Sequence, residues 1–422
     1  MMARETARSG DGLMRHSCGN VFGGLRSLVP VCSIPPALEA FFRTLRDVIR
    51  SEITPRAAEN DRLGRYPRAS IQALKNCGLM KAPLPVALGG LGLSQALSQE
   101  IFLELGMADP SVAQIYKVHD DAVRELLSVA TPEMCRHLVE RICTDQAMIG
   151  MALAENGKRA VDFGHVVSRP EGEGHLIDGR KIYATGAVGA DLLLVSSYDV
   201  VAQTMRLDLL PAGTPGVSFE EDWNRLGQRA TESGSVILDR VQTRPEWSVL
   251  TAQSAPQVHA PLRYQNGFSM ILVGIGLTAL EAAAAFVREH SRPWASAGVN
   301  EAADDLLVRR LFGEIGAELA AACASARTAA GLLDVFERGG CSRTDVAIPV
   351  YAARSSVSRA SLRAGSDLMS ALGARVTDAR YGFDRYWRDA RTLSLHDPVE
   401  WKHEEIGRHL LTGWDPAPGL YQ

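Results

Sequence analysis

Asp178-Gly179-Arg180-Lys181-Ile182-Tyr183-Ala184-Thr185-Gly186-Ala187 lies in the one part of the chain where apolar residues recur at every second position. Its Asp-Gly pair stands between two short apolar runs, 175–177 and 180–183. That is a hairpin signal, because such pairs accept the left-handed backbone of a two-residue turn. Runs at 149–153, 192–195 and 235–238 alternate with Gly, Pro and Asp turns. Residues 148–249 therefore read as a small all-β domain. On both sides the period becomes helical. Leu38, Phe41, Phe42, Leu45, Val48 and Ile49 recur at three and four. A second helix is predicted near Ser70, a loop over 83–92, and further helix starts at Ser94, Asp109-Pro110 and Thr131-Pro132, where a capping side chain or a first-turn proline suits the free N–H groups. After the sheet, long apolar stretches predict helices over 268–287, 304–333, 345–372 and 398–411. Pro349 is tolerable only in the first turns of the third.

The chain has 422 residues, 46% hydrophobic and 22% charged, with a net charge of -4, so it has no general attraction for nucleic acid. No apolar run is read as long enough for a membrane helix. Seven cysteines, from Cys18 to Cys341, are scattered without CxxC spacing, which argues against a disulfide framework or a zinc site and fits a reducing cytoplasm. Residues 1–34, rich in Gly, Ser and Arg at the start, read as a disordered arm rather than a signal peptide.

Two further stretches join the opening one in this layout. Pro85-Val86-Ala87-Leu88-Gly89-Gly90-Leu91-Gly92 resembles a P-xx-x-GG-xG loop, 178–187 a "G-x-K-x-W-I-T-N-G" strand, and Leu226-Gly227-Gln228-Arg229-Ala230-Thr231-Glu232-Ser233-Gly234 an "L-G-x-R-x-S-x-T" strand. In this order they resemble the acyl-CoA dehydrogenase superfamily, over most of the chain from about residue 36. The resemblance implies an α+β fold: an N-terminal α-helical domain (35–145), a middle β-barrel (146–252) and a C-terminal four-helix bundle (253–422). It also implies a homotetramer, which suits bundle helices too apolar to be solvated all round.

The departures point to one branch. A dehydrogenase uses a carboxylate base, commonly the glutamate of Tyr-Glu-Gly; here that place reads Leu395-His396-Asp397-Pro398, and 264–267 has no glutamate either. Arg292-Pro293-Trp294, Asp222-Trp223 through Arg229, Gly373-Ala374-Arg375 and His396-Asp397-Pro398-Val399-Glu400-Trp401-Lys402 resemble the flavin monooxygenases related to dibenzothiophene and sulfone monooxygenases. That resemblance implies reduced FMN (FAD being possible) from a separate NAD(P)H:flavin reductase, a flavin hydroperoxide formed with O2, and oxygen transfer to sulfur, nitrogen or carbon of a small molecule.

It also implies roles for single residues. His396 is the expected proton donor, since an imidazole titrates near neutrality; the alternative is a histidine at a helix start. Thr185 would hydrogen-bond the flavin, or simply face a strand neighbour. Tyr183 and Trp223 would wall the ring, or fill a core. Arg292, Gly373 and Arg375 would receive the phosphate, where a planar guanidinium binds two oxygens at once. Asn156 would lie along the flavin, or form an Asn-Gly turn. His119 and Tyr116 would line the substrate pocket, although a lone helical histidine is more often structural. No metal site is expected. Two other readings stay open: an FAD-dependent acyl-CoA dehydrogenase with Asp397 as base, and a non-catalytic scaffold.

Overall fold

The computed structural model describes residues 25, 27–157, 164–249 and 257–419; most of the expected 1–34 arm lies outside them. The first part is helical: α1 (Glu39–Val48), α2 (Ala57–Leu63), α3 (Arg68–Asn76), α4 (Gln95–Ala108), α5 (Pro110–Val129) and α6 (Pro132–Asp145). Three of these start as the sequence predicts. Ser94 Oγ accepts the Leu97 N–H (3.3 Å), the Asp109 carboxylate accepts those of Ser111 and Val112 (3.0 and 3.3 Å), and Thr131 Oγ1 accepts that of Met134 (3.1 Å). The central helix α4 is buried nearly all round, and even its Glu104 is hidden, because Arg46 reaches it with two guanidinium nitrogens.

Among the described residues seven strands follow: β1 (Ile149–Ala152), β2 (Val167–Glu171), β3 (Gly174–Lys181), β4 (Leu192–Asp199), β5 (Thr204–Pro211), β6 (Val217–Phe219) and β7 (Val236–Gln242). They form one sheet in the order β1-β4-β2-β3-β7-β6, with β5 antiparallel to β4. Its inner face is a separate apolar core that includes Val166, Ile177, Val195 and Val236. The hairpin expected at Asp178-Gly179 is corrected. β3 runs straight through these residues, and the register against β7 shifts between Ile177 and Gly179. This is a β-bulge; Gly179 has φ +141°, and a Cβ there would stand 2.8 Å from Val166 Cα. The turn instead joins Glu171 to Gly174 through Gly172, at φ +61°.

The last part comprises α7 (Ala260–His290), α8 (Leu306–Glu337), α9 (Arg343–Ser366), α10 (Met369–Leu372), α11 (Asp384–Ser394) and α12 (Val399–Thr412). A capping box of Ser342 and Asp345 opens α9 and places Pro349 within its first two turns. The helix expected over 345–372 is thus broken after Ser366, and α11 was not anticipated. α11 is amphipathic, but it is short and rich in charge and buries only Ala390 and Leu393 among its apolar residues, so it has no apolar stretch to announce it.

α7 crosses α4 with the backbones in contact. A Cβ on Gly274 would lie 2.7 Å from Gly106 C and Leu103 O. The expectation that no segment reaches membrane length is also corrected: α7 and α8 are long and apolar enough by length and composition. For α7 the reason is internal, since 78% of its most apolar window is buried within the protein; for α8 the share is 39%.

Candidate active site

His396 stands in the short link between α11 and α12, its side chain 44% exposed. Its ring packs on Phe268 of α7, with centroids 4.2 Å apart. Nδ1 faces Asp397 Oδ2 at 3.2 Å. A carboxylate acceptor there fixes a proton on Nδ1 and leaves Nε2 as the nitrogen that meets a reactant. Asp397 is buried, and its Oδ2 also accepts from the Gln265 amide. Burial works to raise this carboxyl, but the His396 bond and charge, the Arg354 guanidinium and Gln265 outweigh it and hold it down at about 2.

Arg354 lies beneath, fully buried, and burial pushes its guanidinium down to about 10 against the pull of Asp397. Its Nη2 donates to Leu393 O (3.0 Å), while Nε and Nη1 meet no acceptor among the described residues. Lys117 of α5 points its ammonium at the same Phe268 ring, 3.8 Å from the centroid, and pairs with Asp121 at 2.7 Å. His396 is therefore backed by a buried, charge-paired layer and is itself open.

A second group forms on the sheet. Tyr183 is 56% exposed at φ +53° and stands perpendicular to Trp223, with centroids 6.2 Å apart. The Arg225 guanidinium lies over both rings, 5.9 and 5.2 Å from their centroids. Thr185 Oγ1 is 2.8 Å from Ser233 Oγ. The loop that carries Trp223 reaches α11, because Gly227 packs on the backbone of Arg388 and Asp389. From Asp389 to His396 the chain advances about 10 Å at 1.5 Å per helical residue.

A third group gathers at the C-terminal end of α7. Arg375 Nη1 donates to His290 O (3.2 Å), and Ser291 Oγ to Leu372 O (3.3 Å). Gly373 has φ +76° with open space where a Cβ would stand. Arg292 is exposed and makes no ion pair or hydrogen bond among the described residues. From Phe268 to His290 α7 rises about 33 Å, so this group is remote from His396 in the same chain. Asn156 is exposed, and the adjoining residues 158–163 lie outside the described residues. Its neighbour Glu155 is fixed instead: it pairs with the buried Lys181 at 2.5 Å and accepts the N–H groups of Gly164, His165 and Val166.

The placement of His119 and Tyr116 does not suit substrate contact. His119 is fully buried, its Nε2 lies 2.8 Å from Met80 O, and its Nδ1 accepts the Ile149 N–H at 3.1 Å. Both ring nitrogens are thus used, Nε2 in tying α5 to the segment after α3 and Nδ1 in tying it to β1, and burial pushes the imidazole down. Tyr116 is buried against Phe102, with ring centroids 5.9 Å apart. Conversely, the sequence reading missed Gln265, Phe268, Lys117, Arg354 and Ser233. Arg354, a charge on the inner side of a bundle helix, was the most legible of them. A cleft of about 1880 Å³ between α1, the C-terminal half of α7 and residues 379–388 includes Arg229 but none of the expected site residues.

A planar aromatic ligand suits the exposed Tyr183 ring beside Trp223, and a phosphate suits two arginines beside an open glycine; FMN carries both. The family models for the acyl-CoA dehydrogenase N-terminal and C-terminal domains match residues 35–146 and 266–401. Dibenzothiophene monooxygenase of Rhodococcus qingshengii is 32% identical over 385 residues, covering 86% of this chain and 91% of that protein. A probable FMNH2-dependent monooxygenase, SfnC of Pseudomonas putida, is 31% identical, covering 86% and 93%. The structure of TdsC from Paenibacillus sp. A11-2 with FMN and indole superposes with a TM-score of 0.85 at 30% identity, covering 91% of this chain and all of that one. The chain belongs to the acyl-CoA dehydrogenase superfamily, in its flavin-dependent monooxygenase branch.

Proposed function

We propose that this protein is the oxygenase of a two-component system: with reduced FMN from a separate NAD(P)H:flavin reductase, it transfers one atom of O2 to a small organic substrate and releases the other as water. One observation carries this over dehydrogenation. Where a dehydrogenase presents a carboxylate to substrate, this chain turns Asp397 inward onto Gln265 and His396 and presents an imidazole. A buried carboxyl held at about 2 is a weak base.

Bound, reduced FMN supplies the two electrons that activate O2. The protein residues do the rest. His396 Nε2 delivers and recovers a proton on the substrate side. The Thr185–Ser233 hydroxyl pair and Asn156 supply hydrogen bonds along the ring, and Tyr183 and Trp223 flank it and exclude water. Arg292 and Arg375 hold the phosphate, with Gly373 allowing close approach. Sulfur is the first atom to test, because the relatives named above include a dibenzothiophene monooxygenase.

The remoteness of Arg375 from His396 along α7 means that no single FMN meets both in one copy. A second copy supplies the arginines, in the homotetramer that the exposed apolar residues Trp294, Leu306 and Leu307 favour. The deciding measurement is incubation with reduced FMN, 18O2 and a thioether such as dibenzothiophene. One labelled oxygen per product is expected. Retained FAD that is reduced by an acyl-CoA, with no labelled product, would overturn the reading.

A further inference from the structure

Two strained loops meet beside the candidate flavin pocket. Among the described residues six non-glycine residues have positive φ, and three of them are Tyr183, Gln228 (+51°) and Glu232 (+44°). Such conformations cost free energy and persist only where the surroundings over-determine them. The two loops are zipped together: the Ala184 N–H donates to Gly234 O (3.1 Å) and the Gly186 N–H to Thr231 O (3.3 Å).

Gln228 is the point where everything converges. It is 1% exposed, and both polar atoms of its side-chain amide lack partners among the described residues, a further cost. Its carbonyl accepts from Trp223 Nε1 (2.9 Å) and from Thr231 Oγ1 (2.8 Å). Thr231 Oγ1 continues to Ser233 Oγ (2.8 Å), and Ser233 to Thr185 Oγ1 (2.8 Å). Its N–H donates to Asp389 Oδ1 of α11 at 2.6 Å. No side chain fits between the two segments, since a Cβ on Gly227 would stand 2.1 Å from Arg388 O and 2.6 Å from Asp389 N.

We infer that Asp389 is a positioning residue for the flavin pocket: it clamps the Gln228 peptide, from whose carbonyl both the Trp223 indole and the Thr231–Ser233–Thr185 hydroxyl chain are hung. The inference rests on the flavin reading above and adds to it the link by which the helical domain sets the sheet's flavin-facing side chains. The clamp needs an acceptor at Oδ1, not a charge, so Asp389→Asn preserves it and Asp389→Leu removes it.

The test uses the full chain and compares Asp389→Asn, Asp389→Leu, Thr231→Val, Trp223→Phe and Thr185→Val. Anaerobic titration with reduced FMN gives the affinity. Subtracting the Trp223→Phe emission spectrum isolates the Trp223 band. A buried bond lost in this way changes affinity by about tenfold. Asp389→Leu is therefore expected to bind reduced FMN about tenfold more weakly and to shift the Trp223 band to the red, while Asp389→Asn stays near native in both. Thr231→Val is expected to weaken binding and leave the band in place. Native affinity in a folded Asp389→Leu, with Trp223→Phe and Thr185→Val weakened, overturns the clamp. If Asp389→Leu does not fold, native affinity in Thr231→Val does the same. Should Trp223→Phe and Thr185→Val both bind normally, it is the flavin reading that fails, and the Trp223 band in Asp389→Leu alone decides the clamp.

Discussion

His396, Asp397 and Asp389 lie within eight positions of one another, yet their surroundings give them different tasks. His396 is open, and a positioned proton donor is worth about 10²–10⁴-fold in rate. His396→Ala is therefore expected to lose product formation by that factor while reduced FMN is still consumed and hydrogen peroxide appears; unchanged product yield would remove His396 from the chemistry. Asp397 has a folded pKa of about 2, below its ordinary 3.8. Its contribution to stability is present above about 3.8 and is lost as pH falls through about 2. At pH 7, Asp397→Asn leaves Arg354 buried without its counter-charge, and the shift from 3.8 to about 2 corresponds to a cost of about 2 kcal/mol. The gap in melting temperature between native and variant closes toward pH 2. Asp389 shifts the other way. Burial and the charge of Asp61 push it up to about 7, with Asp109 adding to this and the Gln228 N–H and Arg385 opposing it; Arg388, on the same helix, is paired with Asp61. A raised acid makes the folded state hold a proton, so stability falls as pH rises from about 4 to about 7 and is level above. Asp389→Asn removes that slope, and its melting temperature relative to native rises across the same interval.

The elements are held where two backbones touch. α4 and α7 cross at Gly106 and Gly274, and either Cβ would strike the partner's backbone rather than a flexible side chain. Gly274→Ala forces the helices apart and is expected to cost at least about 1–3 kcal/mol, read from the thermal midpoint; a midpoint within a degree of native would mean that the crossing is looser than drawn. Around the site, α11 matters more than its short length suggests. It carries Asp389 and Arg388 against the Gly227 loop and delivers His396 from its C-terminal end.

At the scale of the whole molecule, the homotetramer proposed above would divide the site between copies. Arg375→Ala and His396→Ala subunits are each expected to be inactive alone. Mixed during refolding, they recover part of the native rate, because some interfaces then combine an intact Arg375 with an intact His396. No recovery in mixed oligomers, shown to be mixed by differential tagging, would place both residues at one copy's own site. The exposed apolar side of α8 is a surface that such an oligomer would bury, since only 39% of its most apolar window is buried within a single chain.

Much of this was written in the sequence, since hydrophobic period is local. The change from helical to alternating spacing and back marked the three parts, and Ser94, Asp109 and Thr131 marked helix starts through bonds made within three residues. The stretch from His396 to Lys402 pointed to the branch because its residue types are chemically unusual for a dehydrogenase. Contacts between distant residues were not legible. Asp178-Gly179 reads as a turn but is a bulge, because pairing with β7 outweighs the local preference. His119 reads as a pocket residue but is consumed by the carbonyl of Met80 and the N–H of Ile149. Asp397 reads as a possible base until Gln265, from 132 positions away, and the neighbouring His396 both bond its Oδ2. The sequence alone determined which elements form and which chemistry is plausible, because those depend on neighbours along the chain. Only the tertiary structure decided which polar groups are spent inside the fold and which remain free to act, because burial and hydrogen-bond partners are set by residues that the chain brings together from far apart.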